Sequence, residues 1–208
     1  AACLQAETWT VDNNTAHPAD FRTIHEAIDA AAVGDTILVA GSGTAYSGFT
    51  STKRLNIKGK PTDSIGLGTT IHGSITLTEY YNIQSPDHLR NASGSVLEGL
   101  FVTNPSGIST LSVKHMCAGV TIRRCQLSNA TLEGCSGALV SCSYVANLGV
   151  HSGFGSSGLV RASNNTIIGT WARLIGIGDS YGTLIENCVF GVYVGNDNQT
   201  SGPLGTYS

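Results

Sequence analysis

The sequence predicts an all-β chain wound as a parallel β-solenoid of about eight rungs and entered through one short helix. Three observations carry that reading. Only one segment has helical periodicity, short apolar runs recur 17 to 25 residues apart after it, and the stretches between runs are rich in the turn formers Gly, Asn and Ser.

The helical segment is Phe21-Arg22-Thr23-Ile24-His25-Glu26-Ala27-Ile28-Asp29-Ala30-Ala31-Ala32. Phe21, Ile24 and Ile28, with Ala31 or Ala32, make one apolar stripe. Thr23 and Glu26 stand three apart as in a capping box, and Gly34 sits where a left-handed C-terminal cap would go. No comparable pattern follows, so the helix is expected to cover the first rung, with Phe21, Ile24 and Ile28 closing the core.

The apolar runs begin at Ile37, Leu55, Ile75, Leu97, Ile122, Leu139, Ala162 and Ile185. In the last five, the first, fourth and sixth places are apolar or small. The third place holds Gly99, Arg124, Ser141, Asn164 and Asn187, and Gly and Asn enter left-handed backbone cheaply, so a bend is expected there. A bend resets the in-out alternation of a flat strand, letting first and fourth residues both point inward. On this register Ile122, Leu127, Ile167, Ile185 and Phe190 belong to the core. The chain divides into an N-terminal extension (1–20), the capping helix (21–34), the coil (35–194) and a polar tail (195–208).

Composition narrows the function classes. The 208 residues include 11 basic and 14 acidic ones, a net charge of −3, and only 12% are charged. Clustered Lys and Arg for duplex nucleic acid are missing, and so is the charge excess of a disordered chain. No apolar run approaches the roughly 20 residues that span a bilayer, so neither a nucleic-acid partner nor a membrane span is expected. Secretion or surface display is expected from an even set of six cysteines, Cys3, Cys117, Cys125, Cys135, Cys142 and Cys188, from a first residue other than Met, and from five Asn-x-Ser/Thr triplets. Ala1-Ala2-Cys3 also resembles the end of a bacterial lipoprotein signal, although a lipidated cysteine would itself be the mature N-terminus.

With the pattern laid out, the chain resembles the right-handed parallel β-helix proteins of the pectin-lyase-like superfamily. Phe21-x-x-Ile24-x-x-Ala27-Ile28-x-Ala30-Ala31, then Gly34-Asp35-Thr36-Ile37, Gly43, Tyr46 and Leu55-x-Ile57-x-Gly59 look like that superfamily's N-terminal entry, and Asn164-Asn165-Thr166-Ile167 is similar to its repeated turn. The resemblance covers roughly 21 to 193. It implies the fold and leaves function open, because lyases, hydrolases, esterases, spikes and adhesins share the architecture.

Each of those chemistries needs a constellation. Hydrolysis needs two carboxylates a few ångströms apart, and the coil offers only Glu98, Glu133, Asp179 and Glu186 in its later half. Glu98 and Arg123 fall one rung apart in an outward column, which reads as a surface ion pair. Lyase chemistry needs a cation site and a base; Arg123, Arg124, Arg161, Lys114 and His115 supply bases without an aspartate cluster. The two aspartates and arginine of the superfamily's esterases find no match. His17, His25, His72, His88, His115 and His151 lack metal-ligand spacing, so no metal and no cofactor is expected. Cys125, Cys142 and Cys188 take the fourth, inward place with Asn165 between the last two, as small core residues, and a Cys125–Cys142 disulfide stays open.

The longest stretch that fits no rung, 79–93, carries Tyr80, Tyr81, His88 and Arg90. These are the candidate binding residues, since loops leaving a rigid scaffold usually carry recognition; a plain insertion is the alternative. The expected function is a structural, coat or glycan-binding module without catalysis, whose partners are a polysaccharide or surface glycan and further copies of itself. A polysaccharide lyase is the alternative. Self-association is expected because the tail offers only Leu204 and Tyr207 to cover the last rung.

Overall fold

The computed structural model describes residues 5–61, 68–81, 89–103, 110–114, 117–155, 158–160, 162–178 and 180–196. The chain begins with β1 (Thr8–Val11), helix α1 (Ile24–Ala30), β2 (Thr36–Val39), β3 (Tyr46–Ser51), β4 (Asn56–Gly59) and β5 (Thr69–Leu77). A pair, β6 (Glu79–Tyr81) and β7 (Leu89–Asn91), precedes β8 (Val96–Glu98), β9 (Leu100–Thr103) and β10 (Thr110–Lys114). Then come β11 (Thr121–Arg123), β12 (Gln126–Glu133), β13 (Leu139–Ser141) and β14 (Tyr144–His151), followed by an antiparallel pair, β15 (Gly153–Gly155) and β16 (Gly158–Val160). The last are β17 (Ala162–Ser163), β18 (Thr166–Ile168), β19 (Trp171–Gly178), β20 (Ser180–Tyr181), β21 (Leu184–Glu186) and β22 (Val189–Asn196).

The long sheets are parallel throughout. One joins β1, β2, β4, β8, β11, β13, β18 and β21 in that order. The other joins β3, β5, β12, β14, β19 and β22, with β9 and β10 sharing one level between β5 and β12. From β2 onward strands of the two sheets alternate along the chain, with β9 and β10 together making one level of the second, whereas only α1 stands between β1 and β2. This is an all-β architecture of parallel strands, as the periodicity predicts.

On the five turns from β8 to β21, two corners make the winding. Gly94 and Gly99, Gly119 and Arg124, Gly137 and Cys142, Asn164 and Gly169, Gly182 and Asn187 all have φ between +48° and +73°. Each pair is five residues apart, and the short strand of the first sheet lies between its members. The bends expected at Gly99, Arg124 and Asn187 are there. The third run is displaced by one residue, with its bend at Cys142 rather than Ser141. In the fourth, Gly169 makes the bend and Asn164 occupies the other corner. Adjacent apolar residues hide such a slip: Leu139 and Val140 fit equally by hydropathy, but only Val140 is fully buried, in register with Ile122 and Ile167.

The corrected register changes what occupies the inward place after each bend. It holds Cys125, Ser143, Thr170 and Cys188, and each donates to the carbonyl oxygen two residues back, at 3.3, 2.8, 3.2 and 3.2 Å. Buried donors so satisfied cost the core little. Cys142 is therefore not an inward residue of this column: it stands exposed on a corner, and all five described cysteines, Cys117 and Cys135 included, are free thiols in this structure. Asn165 lies just past the other corner, buried, accepting from Ala138 N and donating to the Cys135 carbonyl. Ile122, Leu127 and Ile167 are fully buried, whereas Ile185 and Phe190, on the last strands described, are half-buried against the core.

At the N-terminus, Thr23 and Glu26 form the expected capping box. The helix is shorter than its apolar stripe: Phe21 bridges to Val11 instead, and Ala31 ends the helix in extended conformation. Gly34 is not its cap. Lys53 takes that role, its Nζ donating to the carbonyls of Ile28, Asp29 and Ala31 at 2.8, 3.1 and 3.0 Å. Ile24, Ala27 and Ile28 are buried, and α1 packs against β1, β2 and β3, the first strands of both sheets. Within the stretch read as an extension, β1 pairs with β2. Buried Asp35 ties these pieces together, accepting from Glu7 N, Trp9 Nε1 and Ala32 N at 2.8, 3.0 and 2.8 Å.

Corner residues set stability in opposite directions. A Cβ at Gly99 would stand 2.6 Å from the Gly59 carbonyl oxygen, so Gly99→Ala is expected to cost about 2–4 kcal/mol. Cys142→Gly relieves a left-handed non-glycine residue and is expected to gain about 0.5–1 kcal/mol. Urea unfolding measures both, and shifts of the same sign would contradict the corner assignment.

Burial alone would raise the Asp35 pKa, but the N–H bonds from Glu7, Trp9 and Ala32, with the charge of Lys53, outweigh it and hold the carboxyl below its ordinary range. A depressed folded value contributes stability above the unfolded carboxylate pKa, about 3.9, and loses it as pH falls through the folded value. Asp35→Asn is expected to melt lower at neutral pH and to show a flatter acid limb; parallel melting curves from pH 2 to 7 would show otherwise.

Candidate functional site

Of the residues singled out in the stretch 79–93, Tyr80, Tyr81 and Arg90 lie on a two-stranded sheet separate from the long ones. β6 and β7 pair antiparallel, with Tyr80 opposite Arg90 and Tyr81 opposite Leu89. The backbone thus brings Tyr80 and Arg90 together, and Tyr81 lies one residue along. His88 falls outside the described residues.

A different feature forms on the coil itself. Strand registers place Phe101, Gln126, Tyr144, Trp171 and Val189 in one column of the second sheet. The next residue on three of these strands, Leu127, Val145 or Ala172, is buried, so alternation turns the column outward. The rings of Tyr144 and Trp171 stack with centroids 4.5 Å apart and planes 6° from parallel. They remain 43% and 40% exposed, an unusual outlay of aromatic surface on a chain with 7% aromatic residues.

On the side of Tyr144 away from Trp171 a groove of about 450 Å³ opens, lined by Pro61, Phe101, Arg124, Gln126, Cys142 and Tyr144. Phe101 and Tyr144 are two strand spacings apart, roughly 10 Å, with Gln126 between them. The corner residues Arg124 and Cys142 border it because their left-handed backbone carries the side chains off the sheet. The groove therefore combines apolar walls with an amide and a guanidinium, groups suited to holding a polar ring by its faces and edges.

The charged cluster beside it is ordered. Glu98 Oε2 accepts from Arg123 Nη2 at 2.8 Å and Oε1 from Arg124 Nη1 at 3.3 Å. The ion pair expected between Glu98 and Arg123 is present, with Arg124 as a second arm; exposed pairs of this kind contribute up to about 1 kcal/mol. One carboxylate between two guanidiniums leaves the cluster a net positive charge.

Carboxylates elsewhere on the coil do not approach Glu98 along its column. Glu186 shares that column four strands away, roughly 19 Å, against roughly 5–9.5 Å for glycoside hydrolysis. Glu133 lies in register with Lys114 and His151, and Asp179 falls outside the described residues. His17 pairs with Asp12 at 2.9 Å in a loop pinned by Arg22, whose Nη1 donates to the carbonyls of Asp12, Asn14 and His17. Among the described residues, no three His, Cys, Asp or Glu side chains converge, and no helix is long and apolar enough to cross a membrane.

Sequence reasoning missed the aromatic column for one reason. The one-residue slip put Tyr144 in an inward place and left Trp171 outside any run. The signal was present in the left-handed formers spaced five apart, which align Tyr144 with Trp171 two residues past their corners.

No family model and no curated protein matches the sequence. Two solved structures are similar along most of the chain. A pectin methylesterase in complex with hexasaccharide VII is 12% identical, with 97% of this chain and 92% of that one covered and a TM-score of 0.25. Pectin methylesterase PemA from Erwinia chrysanthemi is 13% identical over the same shares, with a TM-score of 0.26. Superposition that loose leaves the architecture to be read from the strand registers themselves.

Proposed function

We propose that the chain is a glycan-binding β-solenoid, secreted or displayed at the cell surface, whose groove between Phe101 and Tyr144 holds a sugar ring. The observation that carries this reading is the exposed Tyr144–Trp171 stack bordering a groove that also offers Gln126 and Arg124. Pyranose rings present apolar C–H faces to aromatic walls and hydroxyls to amide and guanidinium donors, and Trp171 props the Tyr144 ring against tilting. The site is read as binding rather than catalysing because both oxygens of Glu98 are engaged by arginines. The same proposal takes the coil as right-handed, the hand parallel crossovers adopt, with a turn for each of the eight strands of the first sheet and α1 as the cap of its N-terminal end.

The test is calorimetric titration with a panel of neutral and acidic polysaccharides, polyuronates included, with and without Ca²⁺. One class is expected to bind, and Tyr144→Ala to weaken that binding at least tenfold, about 1.4 kcal/mol, with melting little changed. Failure of the whole panel, or binding indifferent to Tyr144, would remove the groove from the reading. Growth of the ultraviolet absorbance of unsaturated sugar ends would replace it with lyase chemistry.

Self-association belongs to the proposal on sequence grounds alone. Low charge weakens repulsion between copies, and the tail with Leu204 and Tyr207 falls outside the described residues. Light scattering over a concentration series is expected to show assemblies larger than the monomer; a monomer at every concentration would end that part.

A further inference from the structure

Cys117 and Cys135 take the same inward place on neighbouring turns. A parallel bridge pairs Ala118 with Ser136, and another pairs Ser136 with Ser163. The residues just before these, Cys117, Cys135 and Ala162, therefore form one column, and all three are 0% exposed. Strand spacing separates neighbours in such a column by about 4.8 Å, inside the Cα window of roughly 4.4–6.8 Å that a disulfide spans. Among the described residues, no other two cysteines take the same inward place on neighbouring turns. Cys125 and Cys188 share a column but have Ser143 and Thr170 between them, and Cys142 stands outside on a corner.

We propose that Cys117 and Cys135 are joined by a disulfide when the chain folds in an oxidising compartment, stapling one turn of the coil to the next. The oxidant belongs to the class of small-molecule disulfides, with oxidised glutathione as the type. The thiolate of one cysteine attacks that disulfide and expels one thiolate. The other cysteine's thiolate attacks the mixed disulfide, forms the Cys117–Cys135 bond and expels the second. Two protein thiols are oxidised, one reagent disulfide is reduced to two thiols, and the two protons pass to the released thiolates.

Folding order matters to this step. In the finished core the Cys135 Sγ–H donates to the Val113 carbonyl at 3.0 Å. Burial pushes the Cys117 thiol up to about 11 and that of Cys135 up to about 12, the latter also through the neighbouring Cys117. Thiolate attack is thereby suppressed in the folded protein, so the bond forms before the turns close, or the pair stays reduced behind the wall of the coil.

The full chain, unfolded and reduced, is refolded in a mixture of reduced and oxidised glutathione, alkylated with iodoacetamide under denaturing conditions, and digested without reductant. Mass spectrometry is expected to find the Cys117 and Cys135 peptides linked, with Cys125, Cys142 and Cys188 alkylated. The two cysteines are eighteen residues apart, so reducing the bond is expected to lower the urea midpoint by roughly 1 M. A double variant, Cys117→Ala with Cys135→Ala, repeats the alanine that Ala162 already places in this column and is expected to lose the difference between oxidised and reduced samples. Both cysteines alkylated after oxidative refolding, or a bond from either of them to another cysteine, would overturn the proposal. The peptide analysis of the unmutated chain decides it even if the double variant fails to fold.

Discussion

The coil from β8 onward depends on the chain turning twice within six residues on each of five circuits. An extended strand cannot do this with ordinary backbone angles, because alternation would throw every second side chain to the wrong face. Two left-handed residues bracketing a three-residue strand solve the problem, each costing little if it is Gly or Asn. Six of the ten corner positions from Gly94 to Asn187 are Gly and two are Asn. The exceptions, Arg124 and Cys142, are neighbours at the edge of the aromatic groove. Backbone strain tolerated only there suggests that those two side chains are wanted at that border, which ties the winding rule to the proposed site.

The polar interior follows the same logic of local satisfaction. The carbonyls of Arg123, Ser141, Ile168 and Glu186 each accept the corner N–H of the turn before and keep a second lone pair for a donor in the narrow core. Small donors placed just after the bend answer those carbonyls from within one residue's reach, as Ser143 and Thr170 do with hydroxyls and Cys125 and Cys188 with thiols. At the N-terminal end longer side chains do the equivalent work across sequence: Asp35 gathers three N–H groups and Lys53 three carbonyls. One opposite-charge pair thus fastens the ends of strand and helix that no ladder reaches.

Much of the coil was legible because its signals are local. The capping box of Thr23 and Glu26 and the bends at Gly99 and Asn187 follow from residue type and short spacing, and the repeat period adds the buried Ile122 and Ile167, the bend at Arg124 and the Glu98–Arg123 pair. What was not legible had two equally good local answers. Leu139 and Val140 differ only in which faces the core, and that is settled by Ile122 and Ile167 on neighbouring turns. Asn164 invites a bend and does make one, but at the other corner. The helix was read too long because Phe21 is as apolar as a helical stripe requires, and nothing local says that it pairs with Val11 instead. The groove came last, since an outward column exists only once every register is right.

The level shared by β9 and β10 has an implication for how such a coil changes over time. Residues 100–103 and 110–114 are held side by side on both flanks, by β5 before them and β12 after. Those flanking strands act as splints that keep 100–103 and 110–114 aligned in one level. Sequence can be lengthened or exchanged at that point while the stack above and below keeps its alignment. The coil therefore carries, on the very strand that gives Phe101 to the groove, a position where new recognition elements can be grafted at small cost to folding.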